Sequence, residues 1–190
     1  MKLLQFIGFT LIIMLTFTGC HSKRKIASSG SASRNSSLTD ASSGRGTDFR
    51  GESLEAYADL FNVNKKELKN KKLYNFITDW LGSPHQMGGS SKKGVDCSGF
   101  VGLLYQDVYR QDLARSSRDM GEQVKRKFEN QLQEGDLVFF SFGGKAIDHV
   151  GVYLHQGKFV HVSTRKGVII SDIKDAWYYK YFSRAGSLKR

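Results

Sequence analysis

Cys97 stands in the run Gly94-Val95-Asp96-Cys97-Ser98-Gly99-Phe100-Val101-Gly102-Leu103-Leu104-Tyr105. Behind it, apolar residues recur at Phe100, Val101, Leu104 and Val108, a helical period that puts them on one face with the cysteine. Asp96 is a favoured helix N-cap residue, and Gly94 permits a sharp turn into the helix. A thiol in the first helical turn meets unpaired backbone N–H groups and the positive end of the helix dipole, which favour thiolate over thiol. Such a position prepares a nucleophile; it also suits an inert, buried structural cysteine.

Two histidines decide between those uses. His149 and His161 belong to the predicted strands around Val150–Leu154 and Lys158–Ser163, and whether they cooperate depends on hairpin register. A two-residue turn at Gln156-Gly157 would put them on opposite faces of the sheet. A three-residue turn, His155-Gln156-Gly157 with Gly157 left-handed, pairs Leu154 with Lys158 and sets His161 opposite Gly151. The two imidazoles then share a face as diagonal neighbours, and the glycine leaves room for the ring. One thiol with two such histidines suits two chemistries. In the first, Cys97 is a nucleophile, His149 its general base and His161 the group that orients His149. In the second, the three residues bind zinc. The spacings match neither close-set zinc pattern, so the joint arrangement favours a cysteine hydrolase.

These residues need elements to position them. Leu54, Tyr57, Ala58 and Phe61 keep a helical period, as do Leu73, Phe76, Ile77, Trp80 and Leu81, with Gly82-Ser83-Pro84 ending the second helix. Ser116 or Ser117 can cap a short helix through Val124. After Gly135-Asp136 the pattern changes to short strands at Leu137–Phe140, 150–154, 158–163 and 167–171. Helices followed by consecutive strands argue an α+β fold with an antiparallel sheet, the helix that carries Cys97 packing on it. The aromatic cluster Trp177, Tyr178, Tyr179, Tyr181 and Phe182 is expected to pack on that sheet.

The N-terminus reads differently. Residues 1–19 have one early lysine, an apolar run too short to span a membrane comfortably, and small residues before Cys20. They resemble a bacterial lipoprotein signal, with Cys20 lipidated as the mature N-terminus. Residues 20–52 are crowded with serine and nearly devoid of apolar side chains, which predicts a flexible tether with a reach of roughly 30 Å. Residues 53–190 form one domain of ordinary size. With Cys20 lipidated, Cys97 is the remaining thiol of the chain's 2 cysteines, so no internal disulfide is possible. The net charge of +11, from 29 Lys and Arg against 18 Asp and Glu, suits an anionic partner such as cell-wall polymer or lipid head groups. Nucleic acid is disfavoured by export and by the absence of a recognition motif.

The motifs Gly88-Gly89, Asp96-Cys97-Ser98-Gly99-Phe100, Arg115-Ser116-Ser117, Gly135-Asp136-Leu137-Val138-Phe139-Phe140, His149-Val150-Gly151-Val152-Tyr153 and Phe159-Val160-His161-Val162-Ser163-Thr164, in this order, resemble the NlpC-type papain-like cell-wall peptidase family, and within it the Spr-type lipoprotein murein endopeptidases. The likeness spans about residues 72 to 186. It implies a papain-like α+β fold with Cys97 as nucleophile, His149 as base and His161 as third member. It also implies hydrolysis of peptidoglycan cross-links without metal or cofactor, by a monomer anchored in the cell envelope at the periplasmic side of the outer membrane. His85 and Ser98 are candidate oxyanion or substrate contacts; His85 replaces a tyrosine usual in the family, and Ala114 a common proline. The alternatives are a γ-D-glutamyl-diamino acid stem peptidase and, in another class, a non-catalytic peptidoglycan-binding module.

Overall fold

The computed structural model describes residues 54–189; the expected signal at 1–19, Cys20 and the expected tether at 20–52 lie outside the described residues, as does Ser53. Two helices come first, α1 (Leu54–Phe61) and α2 (Lys71–Trp80). Most of each predicted stripe is buried, Tyr57, Ala58 and Phe61 on α1 and Leu73, Ile77 and Trp80 on α2, with Tyr74 joining them, while Leu54, Phe76 and Leu81 are partly buried. Asn70 caps α2, its side chain accepting from Leu73 N–H at 3.1 Å. A polar bridge ties these helices to the sheet side: Tyr74 donates to Glu134, whose carboxylate lies 3.1 Å from His155 Nε2. His155 in turn stacks on Phe61.

A small hairpin, β1 (Ser90–Ser91) with β2 (Gly94–Val95), then leads into α3 (Cys97–Leu104). Phe100, Val101 and Leu104 are fully buried, as the stripe behind Cys97 requires. The helix runs on through a wider π turn, Tyr105–Tyr109, and stops at Arg110, which is left-handed with φ 58°. Helix α4 (Ser117–Gln123) follows, capped by Ser116.

Six strands form the larger sheet among the described residues, β3 (Val124–Lys127), β4 (Leu137–Phe140), β5 (His149–Tyr153), β6 (Lys158–Ser163), β7 (Gly167–Asp172) and β8 (Phe182–Leu188). Their order is β3-β8-β4-β5-β6-β7, every pairing antiparallel. The four strands expected from sequence are present. Two more, β3 and β8, are not apparent in the sequence pattern. Strand β3 reads Val-Lys-Arg-Lys at a sheet edge, where charge is the usual composition, and β8 lacks a continuous apolar run. The C-terminal aromatic cluster is split: Trp177 to Tyr181 lie on α5 (Ala176–Tyr181), while Phe182 opens β8.

The sheet has two packed faces. Val150, Val152, Val160 and Val162 join the core beneath α1, α2 and α3, whereas Val138, Phe140 and Phe159 form a second core with Ile173, Ala185 and the ring of Tyr178. By strand alternation His149, Gly151 and His161 belong to the second face.

The β5–β6 register is the one expected, with Gly151 opposite His161 and Leu154 N–H donating to Lys158 O at 2.8 Å. The turn itself differs: both Gln156 (φ 50°) and Gly157 (φ 79°) are left-handed, and Lys158 N–H bonds His155 O at 2.8 Å. His155 becomes the extra residue that preserves the register. Gly151 is required where it stands. A Cβ there would lie 2.8 Å from the Phe159 ring and 3.1 Å from His161 Cβ.

Candidate active site

Asp96 organises the start of α3. It is buried, and its Oδ1 accepts from Gly99 N–H at 2.6 Å as the N-cap. Oδ2 accepts from Gly88 N–H at 2.8 Å, which ties the loop before β1 to the helix. Arg115 grips both oxygens, at 2.8 and 2.9 Å, and also donates to Ser98 Oγ at 2.8 Å. Burial by itself would raise the Asp96 pKa, but the Arg115 bonds and the Gly99 and Gly88 amides outweigh it and hold the carboxyl below its usual range. The helix N-terminus is therefore fixed by an ionised carboxylate. Ser98 is buried here, and its hydroxyl donates to Asp96 Oδ1 at 3.2 Å, so both its proton and a lone pair are engaged within this network.

Cys97 is partly buried, at the end of β5. The β5–β6 ladder stops at Gly151–His161, which frees the Val150 N–H from β6, and that amide donates to the Cys97 sulfur. The next residue back along the strand is His149. Its Nε2 lies 2.9 Å from His161 Nδ1, the rings meeting edge to face. His149 thus presents its other nitrogen, Nδ1, for a second partner. The ring of Phe142 lies 5.3 Å from that of His149 on the far side. His161 is 2% exposed, and its remaining nitrogen, Nε2, is 3.0 Å from Ser171 Oγ and 3.1 Å from Tyr178 OH.

The zinc alternative is not what this geometry serves. The histidines bond one another, and His161 Nε2 is engaged by hydroxyls, so the nitrogens of His161 are both taken and do not converge with Cys97 and His149 as a three-ligand set. His85 comes alongside through a short parallel bridge to Val95, with Gln86 N–H donating to Val95 O at 3.0 Å. It stands close enough to His149 for a charge on one ring to oppose a charge on the other.

The electrostatics depart from the thiolate expected at a helix N-terminus. Burial pushes the Cys97 thiol up, and the nearby Asp96 charge adds to this, whereas the Val150, Ser98 and Cys97 amides pull the other way and do not prevail. Burial also pushes His149 down to about 4, with Asp148 opposing and His85 reinforcing the shift. His161 is driven well below its ordinary range by burial and by His149. Both shifts favour the neutral form, thiol at Cys97 and imidazole at His149.

Cys97, His149 and His161 were legible in the sequence; Arg115, Ser171 and Tyr178 were not assigned a place at the site. Arg115 belongs to a motif whose partner, Asp96, lies 19 residues away. Ser171 is a lone hydroxyl in the strand Gly-Val-Ile-Ile-Ser-Asp, at alternate spacing from Ile169, the cross-strand partner of His161.

Comparison with known proteins gives this geometry a context. Residues 82–187 match the model of the NlpC/P60 family. The chain is 37% identical over 135 residues to the murein DD-endopeptidase MepS/murein LD-carboxypeptidase of Escherichia coli K12, spanning 70% of this chain and 71% of the relative. An NlpC/P60 family protein from Bacillus cereus superposes with a TM-score of 0.57 at 28% identity, over 61% of this chain and 39% of that one. The fold is shared at 20% identity by RipD of Mycobacterium tuberculosis, described as a non-catalytic NlpC/p60 domain adapted to peptidoglycan binding (TM-score 0.51, 62% of this chain and 95% of that one).

The burial of the histidines has a measurable consequence. A group whose pKa is depressed on folding binds fewer protons folded than unfolded, so stability rises with pH across that interval. For His149 the interval runs from the ordinary 6.5 down to about 4, and His161 acts in the same direction. Urea titrations should show stability fully present above pH 6.5 and falling as pH drops towards 4, with a flatter profile for His149→Gln/His161→Gln. Equal stability at pH 7 and 4.5 in the wild type would contradict neutral burial. The chain belongs to the NlpC/P60 family.

Proposed function

We propose that the chain is a cysteine peptidase that hydrolyses peptide cross-links in peptidoglycan. The observation that carries this reading is the 2.9 Å bond from His149 Nε2 to His161 Nδ1 beside a cysteine at a capped helix N-terminus. The murein endopeptidase activity named for the Escherichia coli relative supports the substrate class. A wall-binding module with the same fold would need neither a bonded pair of histidines nor a cysteine at the capped start of the neighbouring helix.

With both groups neutral at rest, proton transfer accompanies attack. Cys97 Sγ adds to the amide carbonyl as its proton passes to His149 Nδ1, and the imidazolium that forms is held by His161. The Cys97 backbone N–H at the start of α3 and the His85 side chain are the candidate oxyanion donors. Collapse of the adduct breaks the C–N bond, His149 returns its proton to the leaving amine, and a thioester remains. His149 then takes a proton from water as the water oxygen adds to the thioester carbonyl; collapse breaks the C–S bond, releases the acid, and His149 returns the proton to Cys97. Ser98 supports this indirectly, through Asp96 and Arg115, since its hydroxyl has no proton left to donate to an oxyanion.

Digestion of purified peptidoglycan, with released fragments identified by mass spectrometry, should yield un-cross-linked stem peptides from the wild type and none from Cys97→Ala. Products cut after γ-D-glutamate would replace this reading with the stem-peptidase one, and full activity in folded Cys97→Ala would end both.

His85 is proposed as a second oxyanion donor. Imidazole donates from one nitrogen when neutral and from both when protonated. Loss of one such donor costs on the order of 10²–10³ in turnover. His85→Ala should therefore lose much of the rate, though less than Cys97→Ala, while His85→Tyr should retain it with a flatter pH profile. Wild-type turnover in a folded His85→Ala protein would place the oxyanion on backbone alone.

The anchor is proposed from sequence. Cys20 would carry lipid and the serine-rich tether would let the domain reach the wall from the membrane, the outer membrane being the expected one. Among the described residues no helix is long and apolar enough to cross a membrane. Cys20→Ala should move the protein from the membrane to the soluble fraction; unchanged fractionation would contradict lipidation.

A further inference from the structure

His161 has one nitrogen on the catalytic side and one facing away, and the second has its own built surroundings. Ser171 projects from β7 on the face of His161, two residues along from the cross-strand partner Ile169. Tyr178 comes from α5 on the other side. Its ring stands edge-on to His161 at 5.2 Å, to Phe159 at 5.2 Å and to Phe140 at 5.7 Å, which fixes the direction of its hydroxyl. His161 Nε2 is 3.0 Å from Ser171 Oγ and 3.1 Å from Tyr178 OH, and Ser171 turns its own proton towards Tyr178 OH at 3.4 Å.

This matters because a buried, neutral imidazole carries one proton and has two places to keep it. With the proton on Nε2, the His161 Nδ1 lone pair accepts from His149 Nε2–H. His149 Nδ1 is then bare and can take the Cys97 proton. With the proton on Nδ1, His161 donates to His149 Nε2, and the proton of His149 must sit on Nδ1. There it blocks transfer from Cys97. One tautomer of His161 is productive and the other is not.

We propose that Ser171 and Tyr178 are positioning residues that select the productive tautomer of His161, their two oxygens together accepting its Nε2–H. At 2% exposure His161 depends on protein groups for this bond, and no solvent substitutes for them. Ser171 is poised as acceptor because its proton is directed at the phenol. The catalytic role rests on the peptidase reading, while the tautomer itself is a property of the resting protein.

The test uses the full chain labelled with ¹⁵N-histidine, with ring-nitrogen shifts and peptidoglycan hydrolysis measured side by side. In the wild type, His161 should be protonated on Nε2. In Ser171→Ala/Tyr178→Phe the proton should move to Nδ1, and kcat should fall about 10- to 100-fold, the usual effect of losing the partner that orients a functional histidine, with KM little changed. Ser171→Thr, which keeps the hydroxyl, should retain both the wild-type shifts and the wild-type rate. Should the double variant fail to fold, each single variant is expected to show a smaller change in the same direction. A wild-type His161 protonated on Nδ1, or folded variants with unaltered shifts and kcat, would overturn the assignment. A wild type that releases no peptide would defeat the peptidase reading instead, and the nitrogen shifts would still judge the tautomer.

Discussion

The register of β5 against β6 is the constraint on which the rest of the site depends. Side chains alternate along a strand, so a slip of one residue would send His161 into the core beneath α3 and leave His149 alone on its face. With Gly151 opposite, His161 lies diagonally from His149 and the rings bond at 2.9 Å. The same register ends the ladder at Gly151, which releases the Val150 N–H towards the Cys97 sulfur. One pairing thus sets the histidine pair and also opens the sheet end that receives the cysteine helix.

Asp96 meets that requirement from the helix side. A carboxylate that is buried, yet bonded to Gly88, Gly99 and both arms of Arg115, ties together the loop before β1, the first turn of α3 and the segment before α4. Charged hydrogen bonds of this kind are shorter and stronger than neutral ones, and the bidentate Arg115 contact adds direction. Its cost is electrostatic. The Asp96 charge near Cys97 disfavours a thiolate, so the residue that positions the nucleophile also helps keep it protonated at rest. A neutral thiol–imidazole pair places the proton transfer within the chemical step, where the tautomer of His161 controls it.

The two faces of the sheet divide the labour. The α3 side is aliphatic and close-packed, and holds the helix in place. The other side is aromatic: Phe140, Phe142, Phe159 and Tyr178 pack around His149 and His161, of which His161 is buried. Desolvation by this packing depresses both imidazoles, and the burial of His161 makes the hydroxyls of Ser171 and Tyr178 the partners that remain for it.

The amino-acid sequence by itself determined what local periodicity can encode. The stripe of Phe100, Val101 and Leu104 behind Cys97, the Asp96 cap, the α1 and α2 faces, and the consecutive strands of an α+β sheet are all local patterns, whereas the turn at residues 155–157 left two registers open, and the pairing of Gly151 with His161 decided that the two histidines share a face. Only the tertiary structure decided what depends on distant segments. Strands β3 and β8 have too little apolar periodicity to be read alone and exist because the sheet supplies partners. Arg115 reaches Asp96 from a separate loop, and Tyr178 reaches His161 from a helix beyond β7. The helix N-terminus by itself favours a thiolate at Cys97, and the tertiary structure adds the opposing pull, because desolvation is a property of everything packed around the sulfur and raises its pKa.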